Sequence, residues 1–259
     1  MLFAASALKG YAIQAIDGRI GWVEDTLFDD QSWKIRWFVI KTGTWLPGRK
    51  VLIHPSAIQQ ADFGSEVLTV DLSKSQVDSS PGIGQDEPVS RKMESRTFDY
   101  YGWNPNWGPS YFAQDGVMMG VAGLPLSSPS MDGAGMREAE LHDIIPQDGD
   151  PHLRSVAAVT GYRIHATDGM IGHIENLLVD DTDWGIRYLV VDTKNWWLGQ
   201  HVLLSPYAVR TIDWTEREIV IDVTREVVKG SPPWAPEAII NRAYEHRLHT
   251  YYGWPGYGF

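Results

Sequence analysis

The amino-acid sequence predicts a mainly β protein, with two small antiparallel β-barrels in tandem, each followed by one or two helices. Residues 10–103 recur as residues 161–254 at a constant offset of 151 and without a gap. Within each copy, short stretches rich in Val, Ile and aromatic residues alternate with regular turn signals, a pattern typical of a small barrel or sandwich. Closure into a barrel would also remove the exposed edges of so many short strands.

The first hairpin of each copy is marked by an Asp-Gly pair, at Asp17-Gly18 and Asp168-Gly169. Both residue types tolerate positive φ, which favours a two-residue turn. Pro55 and Pro206 end a later strand, because proline cannot donate to a ladder. We therefore expect strands in the first copy at Tyr11–Ile16, Arg19–Phe28, Lys34–Lys41, Lys50–His54, Ala57–Phe63 and Glu66–Leu72, and in the second at Tyr162–Thr167, Met170–Val179, Ile186–Asp192, His201–Ser205, Ala208–Trp214 and Glu218–Val223.

Helical signals follow the strands. Thr224–Val228 begins with a residue that can cap a helix and is followed by a Pro-Pro break. Pro236–Tyr252 starts with proline, carries apolar residues at four-residue spacing and precedes Gly253, a common helix terminator. Glu87–Tyr101 is its weaker counterpart in the first copy. We expect a helix at each of these three places.

The repeat divides the chain into three parts. Residues 1–103 form the first barrel with its trailing helix, and residues 161–259 form the second. Residues 104–160 between them are rich in Gly, Pro, Ser and Met and lack a clear period. This composition favours a flexible linker over a segment docked on a barrel.

Composition limits the classes of function. The net charge is −11, with 22 basic against 33 acidic residues, which argues against direct binding of nucleic acid because phosphate contacts need clustered Lys and Arg. The chain has no cysteine, which excludes disulfides, thiolate metal sites and cysteine nucleophiles. No stretch approaches the roughly 20 apolar residues that span a bilayer, and the amino terminus does not resemble a signal peptide. We expect a cytoplasmic protein without membrane insertion.

Several motifs shared by the copies identify a family resemblance. They are the glycine-rich opening with its Asp-Gly turn, the Asp-Asp turn that leads to an arginine-containing strand, and the strand that ends in proline: Gly10–Glu24, Asp29–Arg36 and Val51–Ala57, repeated as Gly161–Glu175, Asp180–Arg187 and Val202–Ala208. These motifs resemble the PRC-barrel, the β-barrel of the photosynthetic reaction centre H subunit and of the ribosome maturation factor RimM. The tail Tyr244–Gly253 resembles that of free-standing bacterial members. The resemblance implies an interaction and assembly module without a family-wide reaction or cofactor.

The leading hypothesis is a non-catalytic scaffold that binds another protein or a second copy of itself. Twelve tryptophans are unusual for 259 residues, and Trp and Tyr are common interface anchors. The alternative role for these rings is to close the barrel ends or pack on the trailing helix. The candidate interaction surface consists of Trp33, Trp45, Tyr100, Tyr101, Trp103, Trp184, Trp196, Trp197, Tyr251, Tyr252 and Trp254.

No catalytic, cofactor-binding or metal-binding residue is assigned from the sequence. Arg36 and Arg187 lie in apolar strands and are expected to pair with Glu24 and Glu175. Four histidines, at 165, 173, 246 and 249, are expected on solvated faces, because none has a histidine counterpart in the first copy. A second function remains open: binding of a small ligand or carbohydrate in an aromatic cleft between the barrels. A buried cluster of acids and bases at duplicated positions would instead indicate a reaction centre.

Overall fold

The computed structural model describes residues 1–83, 89–103, 149–193, 200–235 and 240–256. The described part is mainly β, as the sequence predicts. The segment 104–148, most of the expected linker, and the loop with Trp196 and Trp197 lie outside it. None of the helices in the described ranges is both long and apolar enough to cross a membrane.

Two sheets account for most of the structure, one per copy. The first contains β2 (Ala12–Ala15), β3 (Gly18–Asp29), β4 (Lys34–Thr42), β5 (Lys50–Ile53), β6 (Ile58–Asp62), β7 (Val67–Val70) and β8 (Gly82–Ile83), in the order β6-β7-β2-β3-β4-β5-β8. The second contains β10 (Arg163–Ala166), β11 (Gly169–Asp180), β12 (Ile186–Asp192), β13 (His201–Leu204), β14 (Val209–Asp213) and β15 (Glu218–Ile221), in the order β13-β12-β11-β10-β15-β14. The expected strands are confirmed, with ends that shift by at most two residues.

Within the described ranges, five α-helices accompany the sheets: α1 (Lys74–Ser79), α2 (Arg91–Tyr101), α3 (Val156–Val159), α4 (Arg225–Lys229) and α5 (Arg242–Tyr252). The tail helices α2 and α5 begin later than predicted, because the side chains of Ser90 and Asn241 cap them. Both end at a left-handed glycine, Gly102 and Gly253, as predicted. Residues 84–88 and 236–239, which include the predicted starts, lie outside the described part.

The expectation of closed, purely antiparallel barrels is wrong. Among the described residues, the two end strands of each sheet are not hydrogen-bonded to each other, so both sheets are open. Each sheet also contains one parallel pair, β2 with β7 and β10 with β15. A parallel pair needs a long connection, and the intervening hairpins supply it.

Each sheet is extended by a short strand from the beginning of the other copy. β1 (Leu2–Ala4) pairs with β11 in the second sheet, with Phe3 opposite Val179. β9 (Leu153–Ser155) pairs with β3 in the first sheet, with Arg154 opposite Phe28. β9 is the repeat equivalent of β1, and β11 is the repeat equivalent of β3. The same strand pairing therefore occurs twice, once from the first copy to the second and once from the second to the first. We call β1 and β9 the exchanged arms.

A second reciprocal contact joins the copies at the starts of β4 and β12. The backbone N–H of Ile35 donates to the carbonyl oxygen of Trp184 at 2.9 Å, and the N–H of Ile186 donates to that of Trp33 at 2.7 Å. These residues are equivalent pairs in the repeat. The two copies are therefore related by an approximate two-fold axis at this junction.

One hydrophobic core extends through both copies. The Trp184 ring lies 5.0 Å from Phe38 and 6.0 Å from Phe3 between ring centroids, and Phe3 in turn contacts Phe63. The same cluster continues through the buried side chains of both sheets. Packing of one copy on the other thus supplies burial that closure of each sheet would otherwise have to supply.

Candidate functional site

The tail of the first copy places aromatic side chains next to each other. Gly102 has a φ of 67°, a left-handed conformation that glycine adopts without strain. The turn stacks the ring of Trp103 on that of Tyr101, 4.2 Å apart and 15° from parallel. Tyr100 lies outside this stack with 40% of its surface exposed, and its hydroxyl donates to the carbonyl oxygen of Gln76 at 2.8 Å.

The tail of the second copy repeats this geometry. Gly253 has a φ of 71°, and Tyr252 stacks on Trp254 at 4.1 Å and 8° from parallel. Tyr251 is 42% exposed, and its hydroxyl donates to the carbonyl oxygen of Val227 at 2.7 Å. We call the two exposed tyrosines, with the aromatic stacks behind them, the tail surfaces.

A buried cluster of charged groups lies beneath the first tail. The guanidinium of Arg36 on β4 binds three carboxyl groups: Asp29 on β3 at 3.1 Å, Glu94 on α2 at 2.8 Å and Asp150 before β9 at 2.9 Å. The indole N–H of Trp37 also donates to Glu94. The side chains of Glu94 and Asp150 have no exposed surface. Charge pairing in this cluster therefore joins the tail helix, the sheet and the segment that leads into an exchanged arm.

The two buried acids differ in protonation. Burial raises the pKa of Glu94 to about 8, assisted by the nearby carboxyl of Asp150 and opposed by Arg36 and Trp37. For Asp150, burial alone would raise the pKa, but the backbone N–H of His152 and the charge of Arg36 outweigh it and lower the pKa. Glu94 is consequently the group that holds a proton near neutral pH.

The equivalent cluster of the second copy is organised differently. Arg187 binds Asp180 at 3.3 Å and Asp183 at 2.8 Å. Asp183 also binds Lys34 of the first copy at 3.3 Å. The acids that face this arginine are about one quarter to one third exposed, so this cluster lies closer to solvent than that of Arg36.

Glu245 of α5, the counterpart of Glu94, belongs to a hydrogen-bond network. The hydroxyl of Tyr188 lies 3.1 Å from a carboxyl oxygen of Glu245 and 2.9 Å from Nε2 of His249. The other ring nitrogen of His249 lies 2.7 Å from the carbonyl oxygen of Pro255. His249 is only 4% exposed, so its expected place on a solvated face is wrong. It is buried because its ring packs between Tyr188 and Trp254.

The remaining tryptophans of the predicted surface occupy two kinds of place. Trp33 and Trp184 lie at the junction between the copies, half-buried against the shared core. Trp45 is half-buried, its indole N–H donates to the carbonyl oxygen of Ile20, and the ammonium of Lys74 lies 5.9 Å from its ring. Among the described residues of the predicted surface, only Tyr100 and Tyr251, one in each tail, are exposed.

The expected partners of the strand arginines are wrong. Glu24 binds Lys50 at 3.1 Å and Glu175 binds His201 at 2.7 Å. Bulges in the pairing of β3 with β4 shift the register, and Arg36 faces Asp29 instead. Sequence reasoning missed this cluster, although one signal was present: an acid on an otherwise apolar helix face is kept in both copies, as Glu94 and Glu245.

Within the described ranges, no group of three or more His, Asp and Glu side chains is arranged to hold a metal ion. The chemistry that the described clusters can perform is charge pairing and proton retention. The carboxyl groups of Glu94 and Asp150 are enclosed by Arg36, Trp37 and the chain itself.

Comparison with known proteins assigns a domain family to the start of the chain. Residues 1–77 match the sequence profile of the PRC-barrel domain. The match covers β1 to β7 and the first turn of α1. No curated protein matches the chain. The chain therefore contains a PRC-barrel domain at residues 1–77.

Proposed function

We propose that the protein is a non-catalytic interaction and assembly module formed by two PRC-type units in tandem. The proposal includes a relationship of both units to the barrels of the reaction centre H subunit and of RimM, and a bacterial, cytoplasmic setting. It is supported by the repeat of the family motifs in the second copy at a constant offset of 151. A module of this kind would bind a protein partner or a second copy of itself.

The observation that carries the proposal is the pair of tail surfaces. Tyr100 and Tyr251 are 40% and 42% exposed, and they occupy equivalent positions in the two copies. A tyrosine offers a large rigid contact area, and this residue type is frequent among interface hot spots. The hydroxyl bonds to Gln76 and Val227 hold both rings in place. Two equivalent, preorganised aromatic contacts favour a partner that binds both tails.

A catalytic role is less favoured because of access. Asp29, Arg36 and Glu94 do have counterparts of the same residue type, Asp180, Arg187 and Glu245, which would suit a reaction centre. However, the carboxyl groups of Glu94 and Asp150 have no exposed surface and are already bound by Arg36. A substrate could not reach them without displacement of α2.

Ligand binding between the copies is also less favoured. The alternative requires exposed aromatic rings that line a cleft at the junction. Trp33 and Trp184 pack there against the shared core, and Trp184 contacts Phe38 and Phe3. These rings are engaged in packing that holds the copies together.

Affinity capture from cells that contain the protein tests the proposal. The baits are the wild-type chain, the double variant Tyr100→Ala/Tyr251→Ala and the control Tyr207→Ala, which removes a tyrosine that is 48% exposed and does not belong to either tail segment. We expect a partner that binds wild type and control but is retained at least about tenfold less by the double variant. Circular dichroism and thermal melting establish that each bait is folded.

Sedimentation velocity over a wide concentration range tests whether the protein binds a second copy of itself. Concentration-dependent association that the double tail variant loses supports a second copy as the partner. A chain that stays monomeric, together with capture profiles that are identical for all three baits, contradicts the proposed function.

A further inference from the structure

The charge balance of the Arg36 cluster requires a bound proton. Asp29, Glu94 and Asp150 contribute three carboxyl groups, against the guanidinium groups of Arg36 and Arg91, whose Nε lies 3.5 Å from Asp150. Among the charged groups that the structure describes here, ionisation of all three acids would leave one uncompensated negative charge in the buried site, which is costly away from water. One proton between Glu94 and Asp150 makes the cluster neutral and lets the two carboxyl groups hydrogen-bond to each other.

The cluster also connects α2 and the segment before β9 to the first sheet. Glu94 lies on α2, which carries the first tail surface, and Asp150 lies directly before the exchanged arm β9. The backbone repeats this connection, since the N–H of Asp150 donates to the carbonyl oxygen of Val89 and Ser90 pairs with Gly149. Beneath α2, the rings of Trp37 and Phe98 pack at 4.9 Å.

We infer that Glu94 and Asp150 form a latch, closed by one proton between their carboxyl groups, that fixes α2 and the segment leading into β9 on the first sheet. Loss of that proton leaves two buried carboxylates facing each other, and α2 with its tail surface is released. The inference deepens the proposed function, on which it rests, because the released helix carries one of the two partner contacts. Release also uncovers the apolar face around Trp37 and Leu52.

The direction of the pH dependence follows from linkage. Latched Glu94 has a pKa of about 8, whereas the released side chain would return to its ordinary value near 4.5. The latched form thus holds the proton more tightly, so latching is fully effective below pH 4.5 and weakens as the pH rises towards 8. This difference between the two pKa values raises the equilibrium constant for release of α2 by about 50-fold between pH 6 and pH 8.

Neighbouring groups on the other elements bear on the same pH range. His54 at the end of β5 packs on Trp37 and Phe98, and burial together with Arg36 lowers its pKa to about 4, so that it stays uncharged from pH 6 to 9. The ring of His152 binds Asp30 beside Arg154. A His152→Asn background removes any contribution from that ring.

Hydrogen–deuterium exchange of the full chain, followed by mass spectrometry from pH 6 to 9, tests the latch. After correction for intrinsic exchange, the amides of α2 should lose about 50-fold protection between pH 6 and pH 8 in the wild type. In Glu94→Gln, which keeps the hydrogen-bonding shape without a titrating proton, this loss should disappear. The control Glu245→Gln should leave the response of α2 unchanged.

Three results would overturn the latch. They are protection of α2 that does not depend on pH, a dependence that persists in Glu94→Gln, and equal protection of α2 and β4 at every pH, which would mean global unfolding. If Glu94→Gln does not fold, Asp150→Asn serves instead: with one carboxylate fewer, the cluster is neutral without a bound proton, and we expect the loss of α2 protection between pH 6 and pH 8 to shrink. This readout needs no partner, so it is independent of whether tail-dependent capture succeeds.

Discussion

Gly21 and Gly172 lie where the two longest strands pass closest to a neighbouring carbonyl group. A Cβ at Gly21 would lie 2.1 Å from the carbonyl oxygen of Lys41, and one at Gly172 would lie 2.0 Å from that of Asp192. No side-chain rotation relieves such a clash, because both partners are backbone atoms. Glycine is therefore required at this position in both copies.

We expect Gly21→Ala to lower the free energy of unfolding by about 2–3 kcal/mol, the cost of moving strands apart in a packed sheet. Gly43→Ala is the control: the nearest atom to its added Cβ lies 3.9 Å away, and the second copy carries Lys194 there. It should change stability by less than about 0.5 kcal/mol. Urea unfolding measures both, and equal effects of the two substitutions would disprove the steric explanation.

The structural roles of individual residues differ in how well the sequence predicts them. Gly102 and Gly253 end their helices as predicted, because a left-handed cap depends on local conformation alone. The partners of Arg36 were not predicted, because Glu94 and Asp150 come from distant elements. A buried ion pair depends on how elements pack and leaves only a faint local signal.

At the scale of elements, prediction succeeded where a periodic pattern was long enough. The strand Ile186–Asp192 has the predicted ends, and the helix signal at Thr224 is confirmed by its side-chain cap on α4. The exchanged arms were missed because each is three residues long and shows no period. Their pairing partners also lie more than a hundred residues away in the sequence, where local patterns carry no information.

Cysteine pairs can distinguish exchanged arms from arms that stay with their own copy. Ala4 lies opposite Leu178 of the second copy, whereas an arm that remained in place would lie opposite Leu27. Facing residues of an antiparallel pair have Cα atoms about 4.5–5.5 Å apart, within the range that a disulfide spans. The chain itself has no cysteine, so any disulfide comes from the introduced pair.

We expect Ala4→Cys/Leu178→Cys to form an intramolecular disulfide under mild oxidation, and Ala4→Cys/Leu27→Cys to remain reduced. Thiol labelling and a mobility shift on a non-reducing gel measure the two outcomes. Rapid oxidation of the second pair instead of the first would show that the arms are not exchanged.

For the whole molecule, sequence reasoning identified the repeat but expected each copy to be a separately closed barrel. Each copy does form its own sheet, as the regular turn signals predict. The sequence pattern did not predict that the sheets are open or that the copies share a core. An apolar residue that faces inward shows the same pattern whether it packs on its own copy or on the other copy. Trp184 is an example, since its contacts Phe3 and Phe38 both belong to the first copy.

A shared core and two reciprocal contacts predict that the copies unfold together. Leu189 on β12 is fully buried in this core, and Leu189→Ala should cost about 3 kcal/mol through lost burial and a cavity. In two barrels that fold independently, only the second copy would lose stability. In one cooperative unit, the slowest-exchanging amides of β4 in the first copy should lose protection by the same factor as those of β12.

Native-state hydrogen exchange measures both strands in one experiment, with Tyr207→Ala as a surface control, and a single urea transition should accompany it. Two transitions, or unchanged protection of β4 in Leu189→Ala, would show that the copies are thermodynamically separate despite their exchanged arms.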